Sequence, residues 1–488
     1  MKPIEKSISD YFREFARDSG NRRFLFDEQR CYTVAEAYHE SVAIANQLYC
    51  YGVKAGSAAA LRCTRSVDTC LIYLALQMIG ATAFLTDPHR KVADAETGAA
   101  FLISNENGSD DLAANGNWEV MGKGSLPISH RTEAPLFPAA TDLHAPATVI
   151  FTSGSTGKQK GVILSQYNLV NHIRNFSVIG SYLESDISAE MLPVHHVFGL
   201  AVLLMGLIMR YEIFFPKNVT VPYAAQCIET HKITRLDGVP SFALALAEHH
   251  KNTRFSADSL RVGVLGGAPS TKAQFDFIER ELGIKLLPVY GQSECIGITG
   301  ADESQSDLVR SSTVGCFLPM NEGRILDENG HEVSAGTEGE ICVKGPAVML
   351  GYLGDAQATD EAIDENGFLH TGDLGYLDAG GNLHISGRKK DIIIRNGNNL
   401  SARKIEEALQ SLPAVSRAAV VGIPHEKYGE VPCALLVAAQ PCTESEIRAA
   451  LDMLLDKNEL PEVIRFAPSL PLTSSGKPDK PQIKKWFL

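Results

Sequence analysis

Short apolar runs alternate with longer mixed segments over the first part of the chain. Residues 58–63, 81–85 and 102–104 are apolar and short enough to be buried strands. Thr33 precedes one mixed segment and Glu36 follows three residues later, which is the spacing of a capping box at a helix start. Because strands and helices alternate, this part of the chain is predicted to form a parallel α/β sheet.

A polar, glycine-rich interruption follows the next apolar run. Residues 148–151 predict a strand, residues 152–161 a glycine-rich loop, and residues 162–175 a helix.

Two further segments extend the α/β pattern. The longest apolar run, residues 197–209, has 13 residues. It is shorter than the roughly 20 residues of a membrane-spanning helix, so it predicts a buried segment. Residues 221–300 form a second α/β stretch with strands at 261–265 and 285–289.

The last third of the chain has a different pattern. Residues 315–387 are rich in Gly and Asp and contain short alternating strands, which predict an antiparallel or barrel-like subdomain. A polar run at 388–391 precedes a new, compact α/β pattern. The predicted fold class is therefore α/β: a large N-terminal domain of α/β sheets with a β-rich subdomain (1–387), a hinge (388–391) and a small, mobile α+β C-terminal domain (392–488).

Composition excludes several classes of protein. The 488 residues carry a formal net charge of -13, so no global basic surface for nucleic acid is expected. The N-terminus lacks the apolar region of a signal peptide, and no transmembrane segment is predicted. None of the ten cysteines forms a CxxC pair, which favours reduced thiols in a cytoplasmic protein over a disulfide framework.

The glycine-rich loop reads Thr152-Ser-Gly-Ser-Thr-Gly-Lys-Gln-Lys-Gly161. Its glycines permit backbone conformations in which successive amides converge on a phosphate, while hydroxyls and two lysines add donors and charge. The loop is not a Walker A motif, because only two residues separate Gly154 from Gly157 and Gln159 follows the first lysine. This spacing argues against a kinase or GTPase of the P-loop type. The two lysines argue against a plain flexible linker.

The loop closely resembles the signature loop of the ANL adenylating superfamily, which includes acyl- and aryl-CoA synthetases, peptide-synthetase adenylation domains and luciferases. Gln159 replaces the family's usual proline. The resemblance implies that Thr152 takes part in catalysis. The loop residues that it implies for ATP binding are Ser153, Gly154, Ser155, Thr156, Gly157, Lys158 and Lys160.

Further motifs of the same family follow in order. Tyr290-Gly-Gln-Ser-Glu294 is similar to its YGxTE motif, with Ser293 in place of Thr. By this resemblance Tyr290 packs on adenine, Ser293 contacts the α-phosphate and Glu294 holds Mg²⁺, a role that suits a carboxylate. The other implied ATP-binding residues in this motif and in the turn after residues 261–265 are Gly291, Gly266, Gly267, Ala268 and Pro269.

Three motifs near the predicted hinge complete the set. Asp373, in His-Thr-Gly-Asp, and Arg388, in Gly-Arg, resemble the family's ribose-binding pair. Lys390 occupies the family's hinge position. Lys477 resembles the terminal catalytic lysine, whose charge stabilises the transition state at the α-phosphorus.

The resemblance implies a two-step reaction. A carboxylic acid and ATP·Mg²⁺ form an acyl-AMP, and the acyl group then passes to the thiol of coenzyme A. The stretch 396–406 resembles the family segment that faces the pantetheine tunnel, with Ala402 and Lys404 in place of Pro and Glu. Two alternatives stay open: an enzyme that loads the phosphopantetheine of a carrier protein, and an inactive nucleotide-binding homologue.

The acid pocket is expected in residues 191–205, where His196 matches a family histidine implied in catalysis. Amino-acid-activating relatives carry an Asp after the Phe of this segment, whereas Gly199 follows Phe198 here. An unpaired ammonium in an apolar pocket is costly. A small carboxylic acid with a neutral acyl or aryl tail is therefore expected.

Overall fold

A computed structural model of the protein describes residues 1–88, 99, 101–104, 119–122, 134–138, 142–152, 159–472 and 478–488. It contains two compact units. The first comprises the described residues of 1–152, 160–322 and 343–369, and the second comprises 323–342 and 370–488. The predicted boundary at 388–391 lies inside the second unit, and it remains a prediction about which part moves.

Thirteen α-helices occur in the described chain. In chain order they are α1 (Ile8–Ser19), α2 (Val34–Cys50), α3 (Val67–Ile79), α4 (Gln166–Phe176), α5 (Val197–Met209), α6 (Val221–His231), α7 (Pro240–Thr253), α8 (Lys272–Leu282), α9 (Asp307–Ser312), α10 (Ala356–Ala362), α11 (Ala402–Gln410), α12 (Glu444–Leu451) and α13 (Lys480–Lys484). A 3-10 turn spans Lys389–Asp391.

The described strands fall into four sheets. In chain order they are β1 (Arg23–Phe26), β2 (Cys31–Thr33), β3 (Ala58–Arg62), β4 (Thr82–Thr86), β5 (Phe101–Ser104), β6 (Glu119–Gly122), β7 (Pro146–Thr152), β8 (Lys160–Ser165), β9 (Ile187–Ala189), β10 (Glu212–Phe214), β11 (Arg235–Gly238), β12 (Val262–Leu265), β13 (Lys285–Gln292), β14 (Cys295–Gly300), β15 (Cys316–Phe317), β16 (Glu322–Leu326), β17 (Gly339–Lys344), β18 (Gly351–Tyr352), β19 (Leu369–Leu377), β20 (Leu383–Arg388), β21 (Ile392–Arg395), β22 (Asn398–Ser401), β23 (Val415–His425), β24 (Gly429–Ala438) and β25 (Val463–Phe466).

Two large sheets lie in the first unit; the first is parallel at its centre and antiparallel at both edges, and the second is antiparallel at one edge only. One sheet has the order β15-β14-β13-β12-β11-β9-β10-β1-β2, and its strands are parallel from β13 to β1. The other has the order β18-β8-β7-β4-β3-β5-β6, and its strands are parallel from β7 to β6. The predicted α/β fold class is confirmed.

Helices α6, α7 and α8 cover the first of these sheets with apolar residues. Ile228, Leu246 and Phe275 are buried in one cluster with Leu236 of β11 and Leu286 of β13. The strands predicted at 261–265 and 285–289 are present as β12 and β13, and β12 is buried throughout.

Local sequence signals account for several helix ends. The capping box predicted at Thr33 and Glu36 is present: Glu36 donates its amide to the Thr33 hydroxyl, and Thr33 donates its own amide to the Glu36 carboxylate. The apolar run 197–209 is buried over most of its length, as predicted, and it forms a helix. Among the described helices, none is both long and apolar enough to cross a membrane.

One local prediction was wrong. Residues 162–175 were expected to be a helix, but residues 160–165 form β8, which runs antiparallel to β7, and the helix begins only at Gln166. The apolar Val162, Ile163 and Leu164 extend the sheet, which favours a strand over a helix there. Ser165 caps the helix that follows.

The second unit contains a four-stranded sheet, β16-β17-β19-β20, and a five-stranded sheet in which β25 pairs with β24. Helices α11 and α12 pack on one face of the five-stranded sheet, where Val420 is buried, and Ile483 of α13 packs on the other face with Val421. Successive residues of a strand point to opposite faces, so β23 contributes to both cores.

The Arg235 side chain on β11 is a fully buried charged group of the first unit, with 0% exposure. Its Nη2 lies 3.2 Å from Oδ1 of Asp237, and its Nη1 lies 3.5 Å from Oδ2 of Asp186. Its guanidinium carbon also lies 3.9 Å from the centre of the Tyr182 ring. Burial raises the pKa of Asp186, but hydrogen bonds, led by that from Arg261, lower it by more, so the pKa of Asp186 lies below its usual value.

Removal of the Arg235 cation should destabilise the first unit. Arg235→Met leaves two buried carboxylates without their shared partner, and we expect a loss of about 3–5 kcal/mol in the free energy of unfolding. The exposed Arg280→Met, which loses a contact with Glu281, should change it by less than about 1 kcal/mol. Urea unfolding followed by circular dichroism measures both. Equal shifts for the two variants would show that the buried cluster contributes nothing specific.

Candidate functional site

The glycine-rich loop connects two antiparallel strands. Thr152 ends β7 and faces Lys160 at the start of β8, and the Thr152 hydroxyl donates to the Lys160 carbonyl over 3.3 Å. The base of the loop is therefore held by strand pairing. The predicted residues Ser153, Gly154, Ser155, Thr156, Gly157 and Lys158 lie outside the described residues.

A tyrosine that the sequence motifs did not single out links two of them. Tyr352 lies on β18, which pairs with β8, and its hydroxyl donates to Oε1 of Glu294 over 2.8 Å. The ammonium of Lys160 lies 4.5 Å from the centre of the same ring. One side chain thus contacts both the end of the glycine-rich loop and the acid of the Tyr-Gly-Gln-Ser-Glu motif.

No local pattern marks Tyr352 as a site residue. Its position depends on a two-residue strand that pairs with β8 through Tyr352↔Val162 and Gly351↔Ile163, far apart in the chain. A search of the sequence for short strands able to pair with β8 could have found Tyr352.

The Tyr290–Glu294 motif forms a tight antiparallel turn. Strand β13 continues through Gln292, which pairs with Cys295 of β14. A Cβ at Gly291 would lie 2.1 Å from the carbonyl oxygen of Ile296, so any side chain there would collide with backbone. Glycine at this position is therefore required by close strand approach, and the turn places Ser293 and Glu294 side by side at its tip.

Cys295, next to Glu294, is an unsuitable nucleophile. It is fully buried, and burial together with the Glu294 charge raises the pKa of its thiol to about 12. The thiolate is the nucleophilic form, so the group stays unreactive near neutral pH.

The Gly266–Pro269 turn follows β12 at the carboxyl ends of the parallel strands. The Gly266 amide donates to the Gly238 carbonyl over 3.1 Å, and Gly267 has a φ of +80°. A Cβ at Gly266 would lie 2.7 Å from Cγ2 of Val289 and 3.6 Å from Cε1 of Phe198. The turn, with Ala268 and Pro269 after it, therefore lies beside the segment in which the acid pocket is expected.

The start of α5 carries the predicted acid-pocket residues. His196 is the N-cap of the helix, and its ring centre lies 4.7 Å from that of His195. A Cβ at Gly199 would lie only 2.3 Å from the Pro193 carbonyl oxygen. The backbone itself therefore excludes a side chain at the position where amino-acid-activating relatives carry Asp.

The second unit brings together the predicted ribose-binding pair. Asp373 on β19 and Arg388 on β20 are register partners, and Nε of Arg388 lies 3.0 Å from Oδ1 of Asp373. The Asp373 side chain is 6% exposed, whereas that of Arg388 is 45% exposed. A nearly buried carboxylate held by a more accessible guanidinium is suited to accept from hydroxyl groups of a ligand.

Glu340 on β17, which the sequence motifs did not reveal, supports the turn that carries Asp373. Its Oε1 accepts from the Gly372 amide over 3.1 Å, and its Oε2 lies 3.2 Å from Nδ1 of His370 and from Nζ of Lys389. Burial raises the pKa of Glu340, but the hydrogen bonds from His370 and Lys389 outweigh it and lower the pKa. The group is thus an anionic anchor for the turn and for the start of the predicted hinge.

The stretch 396–406, which resembles the family segment that faces the pantetheine tunnel, begins with a tight hairpin. Asn396 and Gly397 form its two-residue turn, with φ values of 53° and +76°, and join the paired residues Arg395 and Asn398. Such turns favour Asn-Gly because both residues need positive φ.

The departure at Lys404 has a structural partner. Its Nζ lies 2.6 Å and 2.8 Å from the two carboxylate oxygens of Glu459. The charge reversal relative to the family pattern is therefore balanced within the second unit. The predicted hinge residue Lys390 is exposed, and the predicted catalytic residue Lys477 lies outside the described residues.

Comparison with known proteins identifies the family of the chain. Residues 12–353 match the family model described as AMP-binding enzyme, and residues 404–477 match the model described as AMP-binding enzyme C-terminal domain. A 2-succinylbenzoate–CoA ligase of Bacillus cereus (strain ATCC 10987 / NRS 248) is 31% identical over 462 residues, which are 92% of this chain and 92% of that protein.

Solved structures show the same fold. The o-succinylbenzoate CoA synthetase (MenE) from Bacillus subtilis, in complex with the acyl-adenylate intermediate OSB-AMP, has a TM-score of 0.88 and 27% identity, with 99% of this chain and 98% of that chain covered. The same synthetase in complex with ATP and magnesium ion has a TM-score of 0.86 and 27% identity, with coverage of 97% and 99%. The chain therefore belongs to the AMP-binding enzyme family, as the ordered motifs indicated, and it is a ligase of the acyl-CoA synthetase type.

Proposed function

We propose that this enzyme joins a carboxylic acid to AMP at the expense of ATP and then transfers the acyl group to coenzyme A. The observation that carries the proposal is the contact of Tyr352 with both Glu294 and Lys160. It places a carboxylate suited to a divalent cation at the hydroxyl of one tyrosine and an ammonium suited to phosphates over the ring of the same tyrosine. A triphosphate with its metal ion requires both kinds of charge together.

Glu294 is the residue that would hold Mg²⁺. Magnesium is usually held by one or two carboxylates together with substrate phosphates and water, so a single well-oriented carboxylate fits this ion. The Tyr352 hydroxyl fixes the orientation of that carboxylate by donating to Oε1. When bound, the ion supplies charge neutralisation at the phosphates. The binding of ATP and magnesium by the Bacillus subtilis synthetase supports this assignment.

The first chemical step requires no nucleophile from the protein. A carboxylate oxygen of the substrate attacks the α-phosphorus of ATP, a bond to that phosphorus forms, and pyrophosphate leaves with the electron pair. The protein positions the reactants and stabilises the developing charge. We assign this stabilisation to Lys477, with Thr152, Ser293 and the glycine-rich loop as donors to the phosphates.

The ribose is assigned to the second unit. Asp373 accepts from the ribose hydroxyls, and Arg388 holds the carboxylate in place and contacts the ribose or phosphate side. Glu340 fixes the turn through the Gly372 amide. The adenine is assigned to Tyr290 and to the Gly266–Pro269 turn, with Gly291 allowing β14 to pass close by.

The acid is assigned to the segment at the start of α5, with His196 beside the reacting carboxylate. The steric exclusion of a side chain at Gly199 supports a substrate without a free ammonium, because no carboxylate can be placed there to pair it. A fatty tail and an aryl tail are both compatible with this argument. The name of the Bacillus cereus relative makes 2-succinylbenzoate an acid to include in any test.

The second step is attack of a thiol on the acyl-adenylate. The thiol sulfur forms the thioester bond, and AMP leaves. Coenzyme A is the proposed acceptor, in line with the CoA ligase relative. The phosphopantetheine of a carrier protein is the alternative partner.

No disulfide joins the ten cysteines, all of which lie in the described chain, and this supports a cytoplasmic location.

A panel of acids tests the proposed function. Fatty acids of several lengths, benzoate derivatives, 2-succinylbenzoate and α-amino acids are each supplied with ATP, Mg²⁺ and either coenzyme A or a phosphopantetheine-loaded carrier protein. We expect AMP, pyrophosphate and an acyl-CoA from one class of acid without an ammonium group, because Gly199 leaves no place for its counter-charge.

Other outcomes would contradict particular parts of the proposal. Activity with α-amino acids alone would refute the pocket argument, and product on the carrier protein alone would favour the alternative acceptor. If no acid in the panel gives AMP, the inactive nucleotide-binding homologue would be the better description.

The role of Glu294 predicts a dependence on magnesium. Glu294→Gln removes the charge but keeps the shape, and we expect about 100-fold slower pyrophosphate exchange with a higher Mg²⁺ concentration at half-maximal rate. Tyr352→Phe removes only the donor to the carboxylate and should cost about 10-fold. The exposed Glu328→Gln serves as the matched control. An unchanged Mg²⁺ requirement in Glu294→Gln would remove Glu294 from the metal site.

A further inference from the structure

Three charged side chains meet between the predicted hinge and the last helix of the chain. Nζ of Lys480 lies 3.1 Å from Oδ2 of Asp391 and 3.3 Å from Oε1 of Glu406. The three side chains are only 22%, 26% and 18% exposed, respectively. Lys480 is the first residue of α13, Asp391 ends the 3-10 turn of the hinge, and Glu406 lies on α11.

Glu406 connects this cluster to the core of the second unit. The Val420 amide on β23 donates to its Oε1 over 2.8 Å. Burial raises the pKa of Glu406, and the Lys480 charge opposes that rise. Lys480 is thus the cation that faces two partly desolvated carboxylates, and its removal would leave them close together without compensation.

The residues on the other side of Lys390 have different partners. Arg388 pairs with Asp373, and Lys389 pairs with Glu340, both of which belong to the four-stranded sheet. Asp391, by contrast, pairs with Lys480 of the C-terminal helix. The partners of the hinge residues therefore differ before and after Lys390. Arg388 and Lys389 pair with residues of the four-stranded sheet, and Asp391 pairs with the start of α13.

The chain just before Lys480 is also held. Leu472 and Pro478 form an antiparallel bridge, and the Asp479 amide donates to the Pro471 carbonyl over 2.9 Å. These contacts join the two flanks of residues 473–477. Lys477 is three residues before Lys480 in the sequence, so the position of α13 limits where the proposed catalytic lysine can reach.

We infer that Lys480 is a positioning residue: its ion pairs with Asp391 and Glu406 tie the start of α13 to the C-terminal side of the hinge, and the adenylation step assigned to Lys477 depends on this contact. The inference rests on the proposed function, because it assigns Lys480 to the adenylation step in which Lys477 acts. It goes beyond that function by naming the contacts that transmit the hinge position to the lysine.

The two half-reactions should respond differently to loss of this contact. Lys477 is needed where charge builds at the α-phosphorus, and a small displacement of a catalytic group is enough to slow such a step. The attack of a thiol on a preformed acyl-adenylate does not need Lys477. A defect in positioning should therefore slow adenylation and leave thioester formation from supplied acyl-AMP nearly unchanged.

The test uses the full-length enzyme and four variants. Lys480→Met removes the cation, Lys480→Arg restores it, Lys477→Ala removes the proposed catalytic group, and Lys484→Met is a control for an exposed lysine on the same helix. Adenylation is measured by exchange of labelled pyrophosphate into ATP, and thiol transfer is measured with synthetic acyl-AMP and coenzyme A. Thermal unfolding checks that each variant is folded.

For Lys480→Met we expect about 10- to 100-fold slower pyrophosphate exchange, with thiol transfer within about 2-fold of the unmodified enzyme. Lys480→Arg should recover most of the exchange rate, and Lys484→Met should match the unmodified enzyme in both assays. The defect of Lys480→Met should have the same direction as that of Lys477→Ala but be smaller.

Two results would overturn the inference. One is Lys480→Met behaving like Lys484→Met in both assays, and the other is an equal loss in both half-reactions, which indicates general damage to the second unit. Absence of exchange in the unmodified enzyme with every acid would instead refute the proposed function, and the inference would fall with it.

Discussion

A carboxylate that loses contact with water needs a cation or a hydrogen-bond donor in its place, because an uncompensated buried charge is costly. This constraint organises the protein from its core to its proposed site. Asp186 and Asp237 share Arg235 within the first unit. Glu294 takes a hydroxyl donor from Tyr352, and Asp373 takes a guanidinium from Arg388. The carboxylates that we assign to a metal ion and to ribose hydroxyls are thus each oriented by a side chain that donates to them or pairs with them.

The same constraint accounts for the chemistry assigned to the site. A reaction that transfers AMP to a carboxylate demands charge neutralisation and positioning more than covalent participation of the protein. The buried Cys295, with the pKa of its thiol raised to about 12, fits this picture because no protein nucleophile is required. Donors and acceptors therefore come from rigid places: strand ends, tight turns that only glycine permits, and a two-residue strand that carries Tyr352.

Much of this arrangement could be predicted from the sequence, and the rest depends on contacts that local patterns do not encode. Apolar periodicity and turn residues predicted the α/β class, the burial of the segment 197–209 and the capping box at Thr33. The strand at 160–165 was missed, because its apolar residues suit a helix as well as a sheet and only pairing with β7 decides between them. Tyr352 and Glu340 were missed for a related reason, since each acts through side-chain contacts with residues distant in the chain.

We propose that the substrate carboxylate attacks the α-phosphorus of ATP. The two oxygen atoms of that carboxylate can be followed by isotope labelling. The acid is labelled with ¹⁸O in both carboxylate oxygens and converted to the thioester, and the AMP is analysed by mass spectrometry. Attack at the α-phosphorus leaves one carboxylate oxygen on AMP when the thiol displaces it, so we predict AMP that carries one ¹⁸O atom. Unlabelled AMP, or label in inorganic phosphate together with formation of ADP, would contradict the account.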